Sequence, residues 1–228
     1  MKPGPPSPLM IPPGAPVLLY GGVFDPPHRA HVELPRLARD RWNPGAWLVY
    51  VPAARSPFKG NAWASDMQRV EMVRLCVRDL ARAAVWTDEI DRAEAGEASY
   101  WVETVRRARG LMGTGAELRF LIGADQAVEF HRWREFREIL IEAEPLVVLR
   151  PPLGDVAAFV DALHARGVWN EVEISQWTAR IVEVPVIETS ATQVRERLSR
   201  GEWPVDALDA RVLAYIREHQ LYGATGEP

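Results

Sequence analysis

The chain has 228 residues, of which 47% are hydrophobic and 25% charged, with a formal net charge of −4. This composition is typical of a soluble globular protein, and the negative charge argues against a protein that binds nucleic acid or a membrane surface. The single cysteine, Cys76, excludes a disulfide framework and favours a reducing compartment, so we expect a cytoplasmic protein.

The N-terminal segment differs in composition from the rest of the chain. Residues 1–16 hold seven of the 19 prolines, and proline cannot take part in a central sheet ladder or a helix interior. We therefore predict a disordered or extended tail over 1–16 and a single domain over 17–222, with a helical part over about 188–222 and a second tail over 223–228. No apolar run approaches the length of a membrane span.

From Val17 onward, short apolar runs alternate with stretches of helical periodicity. The runs are apolar throughout, as in parallel strands that helices cover on both faces. We predict an α/β fold with a doubly wound, mainly parallel, Rossmann-like sheet and a small C-terminal helical part. The predicted strands are Val17–Tyr20, Trp47–Val51, Ala83–Trp86, Leu118–Ile122, Leu146–Leu149 and Ile181–Val184, and the predicted helices are about Ser65–Asp79, Ser99–Arg109 (with Gly110 as C-cap), Ala191–Arg200 and Val205–His219.

A glycine-rich turn follows the first predicted strand and opens a helix. Gly21 and Gly22 allow a sharp turn and a close approach of a ligand to the backbone, and Pro27 suits the first turn of the helix. His28 and His31 are three residues apart and share one face of that turn. Since a helix N-terminus adds free N–H groups and positive potential, the segment predicts a site for phosphate oxygens.

Two other interpretations of this turn stay open. One is a metal site in which Asp25 completes the histidine pair, and the other is a pair of surface histidines without a role. Neither the GxGxxG nor the GxxxxGK[ST] phosphate loop occurs in the sequence, which disfavours dehydrogenases and P-loop enzymes.

The segment from Gly21 to His31 resembles the GGxFDPxHxxH signature of the nucleotidylyltransferase superfamily with its HxGH motif. Within that superfamily, the chain is similar to the bacterial nicotinate-mononucleotide adenylyltransferases over Val17–Tyr222. Ala30 replaces the usual glycine, and Val23 replaces the usual threonine or serine. The resemblance implies catalytic roles for His28 and His31 and ATP contacts by Gly21, Gly22, Val23, Phe24, His28 and His31.

Two segments in the first half resemble family regions that bind the second substrate. Ser56-Pro57-Phe58-Lys59 resembles the PPHK loop, with Phe58 in place of histidine. This implies that Lys59 is a catalytic, substrate-binding charge over the phosphates; a solvated loop lysine is the alternative. The segment that ends in Tyr100-Trp101 resembles the family's SYT segment and implies substrate contacts by both residues, although Trp101 replaces threonine.

The next strand ends in Ile122-Gly123-Ala124-Asp125, which resembles the family's IGxD…W region. The resemblance implies that Asp125 binds a ribose hydroxyl of ATP and that Trp133 stacks on the pyridine ring. The alternatives are a helix N-cap for Asp125 and a core position for Trp133. Arg150 follows the strand after that and matches a substrate-binding position of the family near the nucleotide.

A second candidate phosphate motif, Thr189-Ser190-Ala191-Thr192-Gln193-Val194-Arg195, precedes and opens a helix near the C-terminus. Ser190 or its neighbour caps this helix, and hydroxyls, free N–H groups and Arg195 together favour phosphate binding. The segment resembles the ISxTxxR motif of the same superfamily, with Thr189 in place of isoleucine. This implies ATP contacts by Ser190, Thr192 and Arg195 and a catalytic role for Arg195, so both motifs are expected to meet at one triphosphate.

The reaction implied by the resemblance converts ATP and nicotinate mononucleotide to nicotinate adenine dinucleotide and pyrophosphate. Since the attacking phosphate oxygen is anionic near neutral pH, we expect catalysis by positioning and charge stabilisation, with Mg²⁺ held by the ATP phosphates rather than by protein ligands. The alternatives are another adenylyl- or cytidylyltransferase such as phosphopantetheine adenylyltransferase, a non-catalytic nucleotide-binding protein and a metal-dependent hydrolase. No nucleic-acid or membrane partner is expected, and a homo-oligomer is compatible with the sequence.

Overall fold

The computed structural model describes residues 11–54, 63–94, 99–113 and 115–224. Within these ranges five parallel strands form one sheet in the order β3-β2-β1-β4-β5. The strands are β1 Val17–Gly22, β2 Trp47–Pro52, β3 Ala83–Val85, β4 Leu118–Gly123 and β5 Glu144–Val148. The strand order reverses between β1 and β4, which confirms the predicted doubly wound, Rossmann-like sheet.

Ten α-helices surround this sheet in the described residues. They are α1 Arg29–Trp42, α2 Asp66–Val77, α3 Asp88–Glu94, α4 Trp101–Met112, α5 Ala124–Val128, α6 Phe136–Glu142, α7 Val156–Arg166, α8 Glu171–Ala179, α9 Ala191–Ser199 and α10 Ala210–Glu218. Two short 3-10 helices, Phe130–Arg132 and Leu221–Gly223, complete the fold.

The two faces of the sheet bury separate apolar clusters because strand side chains alternate. Val17 and Leu19 of β1 face a cluster formed with α4 to α8, whereas Leu18 faces a cluster with α1, α2, α9 and α10. Helices therefore cover both faces, as predicted, and Cys76 is a buried free cysteine in the second cluster.

One predicted strand and one predicted helix end are wrong. Ile181–Val184 is not a strand: Ile181 forms a single parallel bridge with Val147, and the pairing stops there because β5 ends at Val148 and Arg150 bridges Leu153 instead. Gly110 does not cap α4, which continues to Met112 and ends at Gly113 with φ of 81°. The longer helix buries Met112 beside Ala108 on the same face, one turn earlier.

The last helix also begins later than predicted, at Ala210 rather than near Val205. Asp209 is its N-cap and accepts a hydrogen bond from the N–H of Arg211 at 2.8 Å, while the preceding residues form turns. Pro27 lies one residue before the N-cap of α1, which is His28, and so is outside the first helical turn. The predicted capping box of α2 is present, with Ser65 as N-cap.

Candidate active site

A crevice opens at the carboxyl edge of the sheet where the strand order reverses. β1 pairs with β2 over all six of its residues, but with β4 only from Val17 to Leu19. The ends of β1 and β4, at Gly22 and Gly123, are therefore not hydrogen-bonded to each other. Ligands of doubly wound sheets bind at such a position.

The two histidines of the first motif lie at the start of α1 and stack on each other, with ring centroids 3.7 Å apart. The backbone N–H of His28 donates to Nδ1 of His31 at 3.3 Å. A neutral His31 ring must then carry its proton on Nε2, where it is a hydrogen-bond donor. His28 is 5% exposed, and its Nδ1 has no hydrogen-bond partner among the described residues.

Burial keeps this pair uncharged. It lowers the pKa of His28 to about 4, and burial together with the nearby His28 and Arg150 lowers the pKa of His31 well below its usual value. Both rings are therefore neutral near pH 7, each with one N–H to donate. A bound phosphate would favour their protonated forms and raise both pKa values.

Arg195 joins the second motif to the first. Its Nη1 donates to the backbone carbonyl of Asp25 at 2.6 Å, and its Nη2 donates to Oγ1 of Thr192 at 3.2 Å. Ser190 caps α9, where its hydroxyl accepts from the N–H of Gln193 at 3.2 Å. A cleft of about 540 Å³ lies between the motifs, and its lining includes His28, Ala30, His31, Thr189, Ser190, Ala191 and Gln193.

The carboxylate of Asp25 accepts three hydrogen bonds from other parts of the chain. It accepts from the N–H groups of Trp63 and Ala64, at 2.8 and 3.2 Å, and from the hydroxyl of Tyr222 at 2.8 Å. Among the described residues, no group of three His, Cys, Asp or Glu side chains could hold a metal ion. The arrangement therefore gives no support to the metal interpretation of the histidine pair.

Asp125 and Arg150 form a bidentate ion pair across the ends of β4 and β5. Arg150 Nε lies 3.0 Å from Oδ1 of Asp125, and Nη2 lies 2.8 Å from Oδ2. The N-cap of α5 is Gly123, not Asp125, so the N-cap interpretation is wrong. Gly123 leaves room for the pair, since a Cβ there would lie 2.5 Å from Oδ1 of Asp125.

Of the aromatic residues predicted to bind substrate, Trp101 and Trp133 pack with the first apolar cluster, on the other side of the sheet from the histidines. The Trp101 ring lies against Gly21, where an added Cβ would come within 2.7 Å of Cζ3. The Trp133 ring packs edge-on against Trp101, with centroids 6.4 Å apart, and against Phe130, with centroids 5.0 Å apart, so Trp133 is part of the core packing and contacts the residue that lies against Gly21. Tyr100 is 40% exposed beneath the guanidinium of Arg134.

The remaining predicted contacts lie in the turn after β1 or outside the described residues. Phe24 is buried, with its ring edge-on to His31 at 5.1 Å, whereas Val23 is 42% exposed. Lys59 and its loop, residues 55–62, lie outside the described residues.

The sequence interpretation missed the role of one residue near this turn. Arg69 is fully buried, and its guanidinium contacts the turn. The signal that could have revealed this residue is an arginine on the apolar face of α2, where Met72, Val73 and Cys76 are also buried.

A model of the cytidylyltransferase-like family matches residues 19–197. A protein of Chromobacterium violaceum named "Probable nicotinate-nucleotide adenylyltransferase" is 36% identical over 213 residues, covering 90% of this chain and 97% of that protein. One of the same name from Solibacter usitatus is 34% identical over 206 residues, covering 90% and 97%. The chain belongs to the nicotinate-nucleotide adenylyltransferases of the cytidylyltransferase-like family. This membership confirms the resemblance inferred from the two motifs.

The fold of this adenylyltransferase family member is also found in a solved structure. Plasmodium falciparum nicotinic acid mononucleotide adenylyltransferase complexed with NaAD superposes with a TM-score of 0.67 at 15% identity, covering 92% of this chain and 98% of that one. At this identity the likeness establishes the shared fold. None of the helices in the described residues is long and apolar enough to cross a membrane.

Proposed function

We propose that this chain is an adenylyltransferase of NAD biosynthesis that transfers AMP from ATP to nicotinate mononucleotide. The observation that carries the proposal is the hydrogen bond from Arg195 to the carbonyl of Asp25, which holds the second phosphate motif against the first. The two motifs lie 170 residues apart at this contact, and a cleft lined by both is suited to one triphosphate.

In the reaction, a phosphate oxygen of nicotinate mononucleotide attacks the α-phosphorus of ATP. A new P–O bond forms, the bond from the α-phosphorus to the bridging oxygen breaks, and pyrophosphate leaves with the electron pair. Negative charge grows on the bridging and non-bridging oxygens, so fixed donors accelerate the step. We assign this role to the ring N–H groups of His28 and His31, to Arg195 and to Lys59, with Ser190 and Thr192 as further donors to the ATP phosphates.

The same crevice is proposed to bind the remaining parts of both substrates. We propose that the turn Gly21–Phe24 approaches the ATP phosphates through its backbone, with Phe24 at the place where the α-phosphate of ATP meets the attacking phosphate, and that Asp125 binds a ribose hydroxyl of ATP. Arg150, which pairs with Asp125, is a cation beside the nucleotide. Tyr100, Trp101 and Trp133 are the aromatic surface for the pyridine ring of the mononucleotide.

Magnesium fits this site as a companion of ATP. Mg²⁺ prefers oxygen ligands, and the described crevice offers mainly N–H donors, with Asp25 and Asp125 already engaged by other groups. The protein residues would hold the phosphates, and Mg²⁺ on those phosphates would supply charge neutralisation. We also propose the cytoplasm as the location, on the basis of the single unpaired cysteine.

The proposed function is tested by incubating the protein with MgATP and one of three acceptors, namely nicotinate mononucleotide, nicotinamide mononucleotide or phosphopantetheine. Pyrophosphate release with the first and little with the others is the expected result. Release with phosphopantetheine alone would assign the chain to a different transfer reaction, and no release with any acceptor would favour a non-catalytic nucleotide-binding protein.

A further inference from the structure

Arg69 ties together the two turns that follow β1 and β2. Its side chain is 0% exposed, which is unusual for a charged residue. Nη1 donates to the carbonyl of Val23, and Nη2 donates to the carbonyl of Ala53 at 2.8 Å and to Oδ1 of Asp66 at 2.9 Å. One buried cation thus fixes two backbone carbonyls at the carboxyl edge of the sheet.

Fixing a carbonyl also fixes the N–H of the same peptide group. In a trans peptide the C=O and N–H point in opposite directions, and the Val23–Phe24 and Ala53–Ala54 bonds are trans. The N–H groups of Phe24 and Ala54 therefore point away from Arg69. Among the described residues, neither N–H has a hydrogen-bond acceptor.

The backbone at Phe24 has an unusual conformation that supports a role for this turn. Phe24 has a φ of 54°, in the left-handed region that aromatic residues rarely adopt. Its buried ring is enclosed by Tyr20, His31 and Tyr50 at centroid distances of 5.6, 5.1 and 6.0 Å. Backbone strain that the surroundings enforce in this way is concentrated at functional sites.

The location of these two N–H groups indicates which phosphate they meet. The cleft between the histidines and α9 also touches Arg150 after β5, and we have assigned it to ATP. Ala54 follows β2, on the other side of β1. An in-line displacement brings the attacking phosphate to the α-phosphorus from the side opposite to the leaving pyrophosphate.

We infer that Arg69 is a positioning residue that presents the N–H groups of Phe24 and Ala54 to the phosphomonoester of the mononucleotide. This inference rests on the proposed function. Arg69 does not touch the substrate itself; it acts through the orientation of the two peptide groups.

The test compares the binding of nicotinate mononucleotide with that of nicotinate riboside, which lacks the phosphate, by isothermal titration calorimetry. In Arg69→Met we expect mononucleotide affinity to fall about 10- to 100-fold, the effect of losing hydrogen bonds to a charged group, with riboside affinity nearly unchanged. A purely structural role would weaken both ligands equally. Equal losses, or no loss for the mononucleotide, would overturn the inference.

Arg39→Met is the matched control. Arg39 is also buried and donates to a backbone carbonyl, that of Ala81 at 2.8 Å, but at the amino edge of the sheet. Its loss should leave the ratio of the two affinities unchanged, and a change equal to that of Arg69→Met would overturn the inference.

If Arg69→Met does not fold, Arg69→Gln serves the same purpose, because one amide can hold only part of the two-carbonyl contact. A folded Gln variant with the wild-type affinity ratio would contradict the inference, whereas a selective loss for the mononucleotide would support it. Failure of the wild-type chain to form product would count against the proposed function instead, since the binding comparison does not depend on turnover.

Discussion

At the scale of single residues, the histidine pair combines the loss of charge with a fixed proton position. His28 is buried, His31 is half-buried and both rings are neutral, and the backbone N–H of His28 fixes the proton of the His31 ring on Nε2. A preorganised neutral donor needs no reorientation when charge develops in the transition state. Under the proposed function, an uncharged pair can in this way assist a reaction between two anions.

Replacing His31 by alanine should lower turnover at least about 10²-fold, the usual loss for one preorganised donor to a developing charge. The fold should be retained, as judged by circular dichroism and a thermal unfolding curve. Initial rates of pyrophosphate release provide the measurement. The control is His164→Ala on α7, whose ring is exposed and outside the described crevice. Near-normal turnover in His31→Ala would remove His31 from the chemistry.

The depressed pKa of His28 should be visible in the stability of the protein. The unfolded chain binds this proton near pH 6.5 and the folded protein only at about pH 4. The contribution of His28 to the free energy of unfolding is therefore fully present above pH 6.5 and is lost as the pH falls toward 4.

Urea unfolding curves at several pH values between 7.5 and 4.5 would test this. His28→Gln cannot gain a charge, so its free energy of unfolding should fall less steeply with decreasing pH than that of the wild type. If the free energies of unfolding of the two proteins changed equally with pH, the pKa of His28 would not be lowered in the folded protein.

At the scale of elements, α9 has both a structural and a proposed chemical function at its N-terminus. Ser190→Ala removes the N-cap and should reduce the free energy of unfolding by about 1 kcal/mol. If Ser190 also contacts ATP phosphates, the KM for ATP should rise in addition. Asn170→Ala removes the same kind of cap, with its own capping box, from α8.

The two cap variants should therefore lose similar stability in urea unfolding, while only Ser190→Ala changes the KM for ATP in steady-state assays. An unchanged KM for ATP in Ser190→Ala would show that Ser190 caps the helix but does not contact ATP.

The sequence predicted the elements whose signals are local. The apolar runs of β1, β2, β4 and β5 and the capping box at Ser65 depend on neighbouring residues, and they appear where expected. The apolar run at Ile181 has the same local pattern, but a strand also needs a partner with a continuous ladder, and β5 ends at Val148, one residue beyond the bridge.

In the candidate site, too, local features could be predicted and long-range contacts could not. The two motifs and their helix starts were visible as spacing along the chain. The pairing of Asp125 with Arg150 and the contacts of Arg69 join residues 25 and 46 positions apart, and no local pattern contains that information. The resemblance to a family supplied the meeting of the two motifs, which periodicity alone could not.

At the scale of the whole molecule, the turn after the first strand is held by the 3-10 helix Leu221–Gly223 near the C-terminal end of the described residues. The hydroxyl of Tyr222 donates to Asp25 Oδ1, a contact between residues 197 positions apart. Asp25 in turn binds Trp63, Ala64 and Arg195. The turn after β1 is therefore complete only when the segment after β2, α9 and the C-terminal end of the described residues have folded onto it.

Tyr222→Phe tests this long-range contact with the loss of one oxygen atom. Burial and the adjacent Asp25 raise the pKa of the Tyr222 hydroxyl far above its usual value, so it remains a donor at every pH of assay. Its removal leaves the buried Asp25 carboxylate with one donor fewer, which should cost about 1–3 kcal/mol in the free energy of unfolding. Because the N–H donors of Trp63 and Ala64 remain, we expect a folded protein with reduced turnover.

Tyr215→Phe, at a partly buried tyrosine on α10, is the control and should change neither the free energy of unfolding nor the turnover. Equal stability of wild type and Tyr222→Phe in urea would mean that the chain end does not support the phosphate turn.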